Sequence, residues 1–314
     1  MLEHRFSKAV AFATFLLLVI GGTVNPTGSS LACPEPTFVC NGDLFPPMVG
    51  GVFYEHGHRL AAMTVGLLQV VLTVVLFRRR PELRKLALFL LGLVITQGAL
   101  GAITVQYLLP WYVSTAHLLV AMSYFATLIY AAFLTRPAPS VLELEQHERR
   151  RNELGLARKW ILIAAGAVFI QLLLGALVRH LGAAMVCLGM PTCTIGGDWW
   201  PDTGVQHLHM IHRVFGIVVG IVTTIGAVQV YRAARSWPAL RLLALLAPVL
   251  VLVQVLLGIY TVMSMRAVPL AVAHFAGAAS LWALWMSAVL MTRRRSTRTR
   301  ANAIQWKSLV KEVE

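Results

Sequence analysis

Long apolar stretches alternate with short polar segments along the whole chain. Eight of the stretches are long enough to cross the hydrocarbon core of a membrane, which takes about 20 residues as an α-helix. They lie near residues 8–25, 52–77, 84–105, 112–134, 159–179, 206–231, 239–262 and 268–291. The pattern therefore predicts an all-α integral membrane protein with eight transmembrane helices.

Basic residues are concentrated in alternate connections between these spans. The rich segments hold Arg78, Arg79, Arg80, Arg84, Lys85, Arg136, Arg149, Arg150, Arg151, Arg158, Lys159, Arg232, Arg235, Arg241, Arg293, Arg294 and Arg295. Apart from two arginines at helix starts, the other connections hold only Arg179 and Arg266. Because lysine and arginine are enriched on the cytoplasmic side, both termini are predicted to be cytoplasmic in a bacterial inner membrane. Residues 1–32 also resemble a cleavable signal peptide, but this segment has a counterpart inside the chain, which disfavours cleavage.

Composition supports a membrane protein and argues against a nucleic-acid-binding one. Only 13% of the residues are charged and 58% are hydrophobic, whereas soluble domains are about 25% charged. The net charge of +14 follows from the alternate basic loops, so no nucleic-acid partner is expected.

The chain contains two copies of one pattern. The pair His58-Arg59 recurs 154 residues later as His212-Arg213, and His117 recurs 157 residues later as His274. Matching glycine and glutamine positions accompany them, namely Gly21 with Gly175, Gln97 with Gln254 and Gly101 with Gly258. Spans 1–4 therefore correspond to spans 5–8. Since four spans is an even number, the two four-helix bundles are predicted to be parallel repeats, unlike the inverted repeats of many transporters.

This duplication divides the chain into four predicted segments. An N-terminal four-helix half covers residues 1–135, and a C-terminal half covers 159–292. A polar cytoplasmic linker, 136–158, joins them and is predicted to be a solvated helix. A basic cytoplasmic tail covers 293–314.

The four cysteines also occur as two pairs, each in an outward loop. Cys33 and Cys40 precede span 2, and Cys187 and Cys193 precede span 6. Disulfides persist on the oxidising side of a membrane, and two cysteines with no histidine between them make a poor zinc site. We therefore predict one disulfide in each loop, Cys33–Cys40 and Cys187–Cys193, while metal binding or free thiols are the alternatives. Whether either bond is redox-active does not follow from the spacing.

The paired histidines are the candidate cofactor ligands. Ionisable side chains are costly inside a membrane, and imidazoles on facing helices of a bundle can bind one haem iron between them. Each histidine alone is compatible with a hydrogen-bonded structural role, but two pairs in matching places favour haem. Zinc or copper is less favoured because no carboxylate or thiolate joins a pair. Arg59 and Arg213 are candidates for contacts with haem propionates.

The two halves differ three residues before the first histidine of each pair. Glu55 stands there in the first half and His209 in the second. Residues at i and i+3 share a helical face, so Glu55 is predicted to project toward the cavity of His58 and to transfer a proton or stabilise a cation. The alternative is that Glu55 caps the start of its helix. The divergence places the reaction in the first half and an electron-transfer haem in the second.

Over essentially its whole length the chain resembles the haem A synthases of the Cox15/CtaA-type family. The resemblance rests on Glu55-x-x-His58-Arg59, His117, His212-Arg213, His274 and the two cysteine pairs. It implies that haem O binds to His58 and His117, that Glu55 is catalytic in oxidising a ring methyl to a formyl group, and that haem b binds to His212 and His274. His56 is not part of the pattern. Haem O synthase, terminal oxidase assembly factors and membrane lipid are the implied partners, and the oligomeric state stays open.

Two other functions compete with this interpretation. A di-haem b carrier could pass electrons between quinone and an outer partner without modifying a haem. A transporter is disfavoured by the parallel repeat and by the paired histidines.

Overall fold

The computed structural model describes residues 1–201 and 203–293, which form helices joined by short connections. The nine α-helices in these ranges are α1 (Leu2–Val24), α2 (Gly50–Arg79), α3 (Arg84–Gln106), α4 (Trp111–Leu134), α5 (Val141–Glu153), α6 (Ala157–His180), α7 (Gly204–Ala233), α8 (Pro238–Met263) and α9 (Val268–Met291). Short 3₁₀ turns at Pro81–Leu83 and Ala183–Met185 precede α3 and follow α6.

Eight of these helices are long and apolar enough to cross a membrane, which confirms the all-α prediction and the number of membrane-length helices. Each coincides with a predicted span to within a few residues, except that α1 begins at Leu2 rather than at residue 8. The extra turn is polar and includes Glu3, whose carboxylate lies 3.5 Å from Arg79 at the end of α2. Since a helix can continue beyond the hydrocarbon core, apolar length alone places its start too late.

The ninth helix, α5, lies in the polar linker that was predicted to be helical. Ser140 and Glu143 form a reciprocal capping box at its start, which satisfies backbone N–H groups that have no partner within the helix. One face of α5 is docked rather than solvated. His147 donates from Nε2 to the Met291 carbonyl at 2.9 Å, and Arg151 donates from Nε to the Thr292 carbonyl at 3.2 Å. The linker thus holds the end of α9.

Each half packs its four long helices in the same way. In the first half α1 contacts α2 and α4, and α3 contacts α2 and α4; in the second half α6 contacts α7 and α9, and α8 contacts α7 and α9. The halves meet through α1, α4, α6 and α9. The largest buried apolar cluster spans this junction, where Trp282 on α9 donates from Nε1 to the Met122 carbonyl on α4 at 3.1 Å. The junction is therefore part of the core.

The helices α3 and α8 end in the same unusual turn. The residues Leu108 and Leu109 after α3 have φ angles of 54° and 65°, and Met265 and Arg266 after α8 have 52° and 66°. Positive φ is uncommon for residues other than glycine. In both turns a backbone amide bonds back to a threonine carbonyl five residues earlier, from Leu109 at 2.8 Å and from Arg266 at 2.7 Å.

Candidate functional site

The structure brings together the two histidines of each predicted pair. His58 on α2 and His212 on α7 both lie eight residues after the start of their helices, and His117 on α4 and His274 on α9 both lie six residues after the start of theirs. His58 is close enough to His117, and His212 to His274, for their charges to interact. Each half therefore holds one pair of imidazoles inside its bundle. Iron ligation by these pairs stays a prediction.

A glycine on a neighbouring helix lies against each imidazole. A Cβ atom added to Gly21 would lie 2.7 Å from Cε1 of His58, and one added to Gly175 would lie 3.2 Å from Cε1 of His212. At the second histidine of each pair, an added Cβ would lie 3.3 Å from Cε1 of His274 at Gly258, which is a tight contact. At Gly101 it would lie 3.5 Å from Cε1 of His117, which is an ordinary van der Waals contact. Sequence reasoning used these glycines only as markers of the repeat and missed their role.

Two glutamines form hydrogen bonds with the helices that carry the histidines. Gln97 on α3 donates from Nε2 to the His117 carbonyl at 3.0 Å. Gln171 on α6 donates to the His212 carbonyl at 3.0 Å and lies 3.2 Å from His212 Nδ1. Gln171 was not singled out from the sequence, because the matching position in the first half is Leu17. In contrast, the Nδ1 atom of His58 is buried without a hydrogen-bond partner among the described residues.

Glu55 is buried, with 4% of its surface exposed, and its carboxylate is held by two donors. The Cys33 backbone amide donates to Oε2 at 2.9 Å, and Arg59 donates from Nη2 to Oε1 at 2.6 Å. The alternative that Glu55 caps α2 is wrong, because α2 begins at Gly50 with Val49 as its N-cap and has no side-chain cap. The carboxylate instead connects α2 to the loop that precedes it.

Arg59 and Arg213 have the same position relative to their loops. Each guanidinium donates to several loop carbonyls. Arg59 donates to those of Cys33, Glu35, Thr37 and Val39. Arg213 donates to those of Cys187, Gly189 and Thr192. These contacts occupy the Nη atoms that were expected to reach propionates. The Nε–H of Arg213 is buried and has no partner among the described residues, so a propionate contact there stays a prediction.

Both predicted disulfides are present in the structure. The Sγ atoms are 1.97 Å apart in Cys33–Cys40 and 1.96 Å apart in Cys187–Cys193. Each bond closes a loop whose carbonyls the following arginine binds. The loop and the start of the next helix therefore form one unit in each half.

His56 is the main difference between these two units. It is not part of the family pattern, yet only 1% of its surface is exposed. Its ring packs against the first disulfide, with the ligand atoms of Cys33, Cys40 and His56 all within 4.8 Å of one another. The matching residue in the second half is Met210, which is equally buried and packs against Cys187 and Cys193. The helical register that places Glu55 beside the loop also turns His56 inward.

The family to which the chain belongs is shown by a match that includes the paired histidines. The chain matches, over residues 48–286, the model of the COX15-CtaA family, which is described as a cytochrome oxidase assembly protein. The chain belongs to the COX15-CtaA family. The COX15-CtaA match includes Glu55 and all four paired histidines, and it begins after the first disulfide.

Relatives named "heme A synthase" align with most of the chain. The protein from Shouchella clausii is 29% identical over 280 residues, which is 84% of this chain and 87% of the relative. The protein from Exiguobacterium sibiricum is 30% identical over 217 residues, covering 67% of this chain and 68% of the relative. A protein from Bacillus cereus is 25% identical over 322 residues and aligns with 99% of this chain and 100% of the relative. The similarity thus extends over both halves.

Proposed function

We propose that this membrane protein is a haem A synthase, which oxidises a ring methyl of haem O to a formyl group and so provides haem A for terminal oxidases. The observation that carries the proposal is the pairing of four histidines in two bundles, inside the segment that matches the COX15-CtaA family. The relatives named as heme A synthases align with the segments that hold both pairs.

The first half is the proposed substrate site, with His58 and His117 as ligands of the haem O iron. Two features of the described residues fit a planar group bound there. The absence of a side chain at Gly21 lets the His58 ring pack against α1, and the buried Nδ1 atoms of His58 and His117 have no hydrogen-bond partner among the described residues. A buried polar atom without a partner is costly, and such atoms in native proteins often belong to ligand sites.

The second half is the proposed site of haem b, with His212 and His274 as its ligands. Gly175 and Gly258 lie against these rings, and Gln171 fixes the position of His212. When bound there, haem b supplies one-electron transfer. His209 stands in place of the carboxylate in this half, which fits a site that only passes electrons.

Glu55 is the proposed catalytic residue of the first half. Conversion of a methyl to a formyl group breaks two C–H bonds, adds one oxygen and removes four electrons, which an external oxidant must accept. The protons that are released need an acceptor near the ring. The Glu55 carboxylate is buried and lies one helical turn before His58. Its bonds to Cys33 N and Arg59 fix its orientation, and a positioned acid–base group contributes roughly 10²- to 10⁴-fold to a rate.

The membrane arrangement is part of the same proposal. The distribution of lysine and arginine supports cytoplasmic termini. A bacterial inner membrane, and parallel halves at 1–135 and 159–292 joined by the linker 136–158, are proposed with it. The predicted basic tail, 293–314, lies outside the described residues except for Arg293. Haem O synthase and oxidase assembly factors are the proposed protein partners.

Replacement of the carboxylate tests the proposal. We expect Glu55→Gln to retain both haem sites, since the amide fills the same space, and to lower haem A formation by roughly 10²-fold or more. Haem types extracted from cells supplied with haem O measure the product, and the absorption spectrum of the purified protein measures site occupancy. His212→Ala is the control and should lose the haem b spectrum.

Two outcomes would contradict parts of the proposal. If Glu55→Gln loses the haem b spectrum while His212→Ala keeps it, the roles of the halves are reversed. If the purified protein carries only haem b in both halves, and oxidase-containing cells lacking it still make haem A, the di-haem electron carrier is the better description.

A further inference from the structure

The end of α6, which belongs to the second half, reaches the histidine pair of the first half. Arg179 points its Nη2 at the carbonyls of Gly21 and Gly22, at 3.5 and 3.4 Å. Gly21 is the residue against which His58 packs. The next residue, His180, is hydrogen-bonded through Nδ1 to Thr115 Oγ1 at 3.1 Å, two residues before His117. The first site is therefore completed by residues from the other half.

A second arginine joins Arg179 at this junction. Arg266 lies in the turn after α8 and donates from Nη2 to the Asn25 carbonyl at 3.3 Å. The charges of the two arginines interact with each other. Among the described residues, no carboxylate forms an ion pair with either guanidinium, and the Nε of Arg179 is buried without a partner. Both arginines are partly buried, and adjacent like charges with reduced hydration are unfavourable, unless an anion lies between them.

The matching positions of the other half carry no such charges. Arg179 corresponds to Asn25 at the histidine offset of 154, and Arg266 corresponds to Leu109 at the offset of 157. Leu109 and Arg266 have nearly the same φ, 65° and 66°, so the difference is one of side chain and not of backbone. The two cations are thus an addition to the first site alone.

We propose that Arg179 and Arg266 bind the propionate carboxylates of haem O in the first half. This inference rests on the proposed function, because haem O is the ligand whose two carboxylates require cationic partners. Arginine suits the task, since its planar fork donates two hydrogen bonds to one carboxylate. The guanidinium of Arg179 also lies 5.7 Å from the centre of the Phe275 ring on α9. This contact helps to hold the Arg179 side chain at the junction of the halves.

Propionate binding gives the two arginines a positioning role. Two fixed contacts on one edge of the porphyrin select its orientation about the iron. The orientation decides which ring methyl lies near Glu55. The loop-bound Arg59 and Arg213 have most of their donors occupied, and so they cannot replace this pair.

The test compares haem O with its dimethyl ester, in which the carboxylates are neutral. Each compound is titrated by absorbance into detergent-solubilised full-length protein that retains its second-half haem. We expect Arg179→Gln and Arg266→Gln each to weaken haem O binding by roughly tenfold to a hundredfold, as for a lost charge-assisted hydrogen bond. Binding of the ester should be equally weak in the wild type and in both variants.

Two further variants serve as controls. Arg179→Lys keeps the charge and should recover part of the affinity for haem O. Arg241→Gln removes an arginine from the opposite end of α8, where the guanidinium lies 4.1 Å from the centre of the Tyr231 ring, and should bind both compounds as the wild type does.

Several results would overturn the inference. One is wild-type affinity for haem O in both glutamine variants, and another is an equal loss of affinity for haem O and for the ester. A shifted spectrum of the second-half haem, with haem O binding unchanged, would assign the arginines to that haem. Failure of the proposed function looks different: the wild type would still distinguish haem O from its ester, yet no haem A would be formed in cells.

Discussion

At the scale of single residues, four glycines are as informative about the candidate site as its histidines and its carboxylate. Gly21, Gly101, Gly175 and Gly258 each lie against one of the four paired histidines. Any side chain at these positions would occupy space next to an imidazole, most severely at Gly21. A histidine that is to bind iron must hold its ring in one orientation, and packing against a flat helix backbone provides this.

Gly21→Ala tests this packing. We expect haem O binding in the first half to fall by roughly tenfold or more, because overpacking by one methyl group costs about 1–3 kcal/mol. The haem b spectrum of the second half should be unchanged. Gly66→Ala is the matched control, since a Cβ added there meets open space, and alanine in a helix should stabilise the protein by about 0.5–1 kcal/mol. Equal effects of the two variants on haem O binding would contradict the packing role.

At the scale of elements, each disulfide loop forms a unit with the start of the helix that follows it. Arg59 and Arg213 bind the carbonyls of their loops, and the disulfides close the same loops. Only the first loop also contacts a proposed catalytic group, through the bond from Cys33 N to Glu55. The two disulfide loops therefore differ in this contact despite their matching positions.

Removing each disulfide separately should show this difference. The double variant Cys33→Ser with Cys40→Ser is expected to lower haem A formation strongly while the haem b spectrum persists, because Glu55 loses the fixed amide that orients it. The variant Cys187→Ser with Cys193→Ser should instead weaken the haem b site beside Arg213. Extracted haem types and reduced-minus-oxidised spectra measure the two effects. If both double variants behave alike, the first loop does not position Glu55.

The first loop should also respond to acid. A hydrogen bond with its own backbone amide, together with those from the amides of Asn41 and Gly42, holds the pKa of Glu35 below its ordinary value of 4.5. Because the folded pKa is lowered, the stabilisation is present above pH 4.5 and is lost as the pH falls through the lowered pKa.

Hydrogen exchange at Asn41 and Gly42 measures this loss. Corrected for the intrinsic rate, protection of these amides should fall with pH below this range in the wild type. In Glu35→Gln protection should be low at every pH and independent of it. A pH-dependent change that persists in Glu35→Gln would show that another group is responsible.

At the scale of the whole molecule, the sequence predicts the helices well and their mutual arrangement less well. Apolar length and basic loops located all eight membrane-length helices, because both are properties of local composition. Spans that are apolar on all sides carry no clear periodic face. The junction of α1, α4, α6 and α9 therefore could not be read from the pattern.

The same distinction applies to the candidate site. The paired histidines and cysteines were predicted because they are rare residues that recur at a fixed offset. The burial of His56, the role of Gln171 and the contacts of Arg179 were missed because a residue of another type occupies each matching position in the other half. The sequence shows where the two halves differ. It does not show which residues surround such a position, and only the structure gives these neighbours.

The contact between Arg179 and the carbonyls of Gly21 and Gly22 also sets an order of events during biosynthesis. A ribosome that has made only the first four membrane helices has produced both histidines of the first site but neither arginine. Since chains fold from the N-terminus during synthesis, we expect this early bundle to form in the membrane before either arginine exists. It gains Arg179 with α6 and Arg266 only after α8. In this proposal the first site is thus completed only after most of the second half has been made, shortly before His274 on α9 completes the second histidine pair.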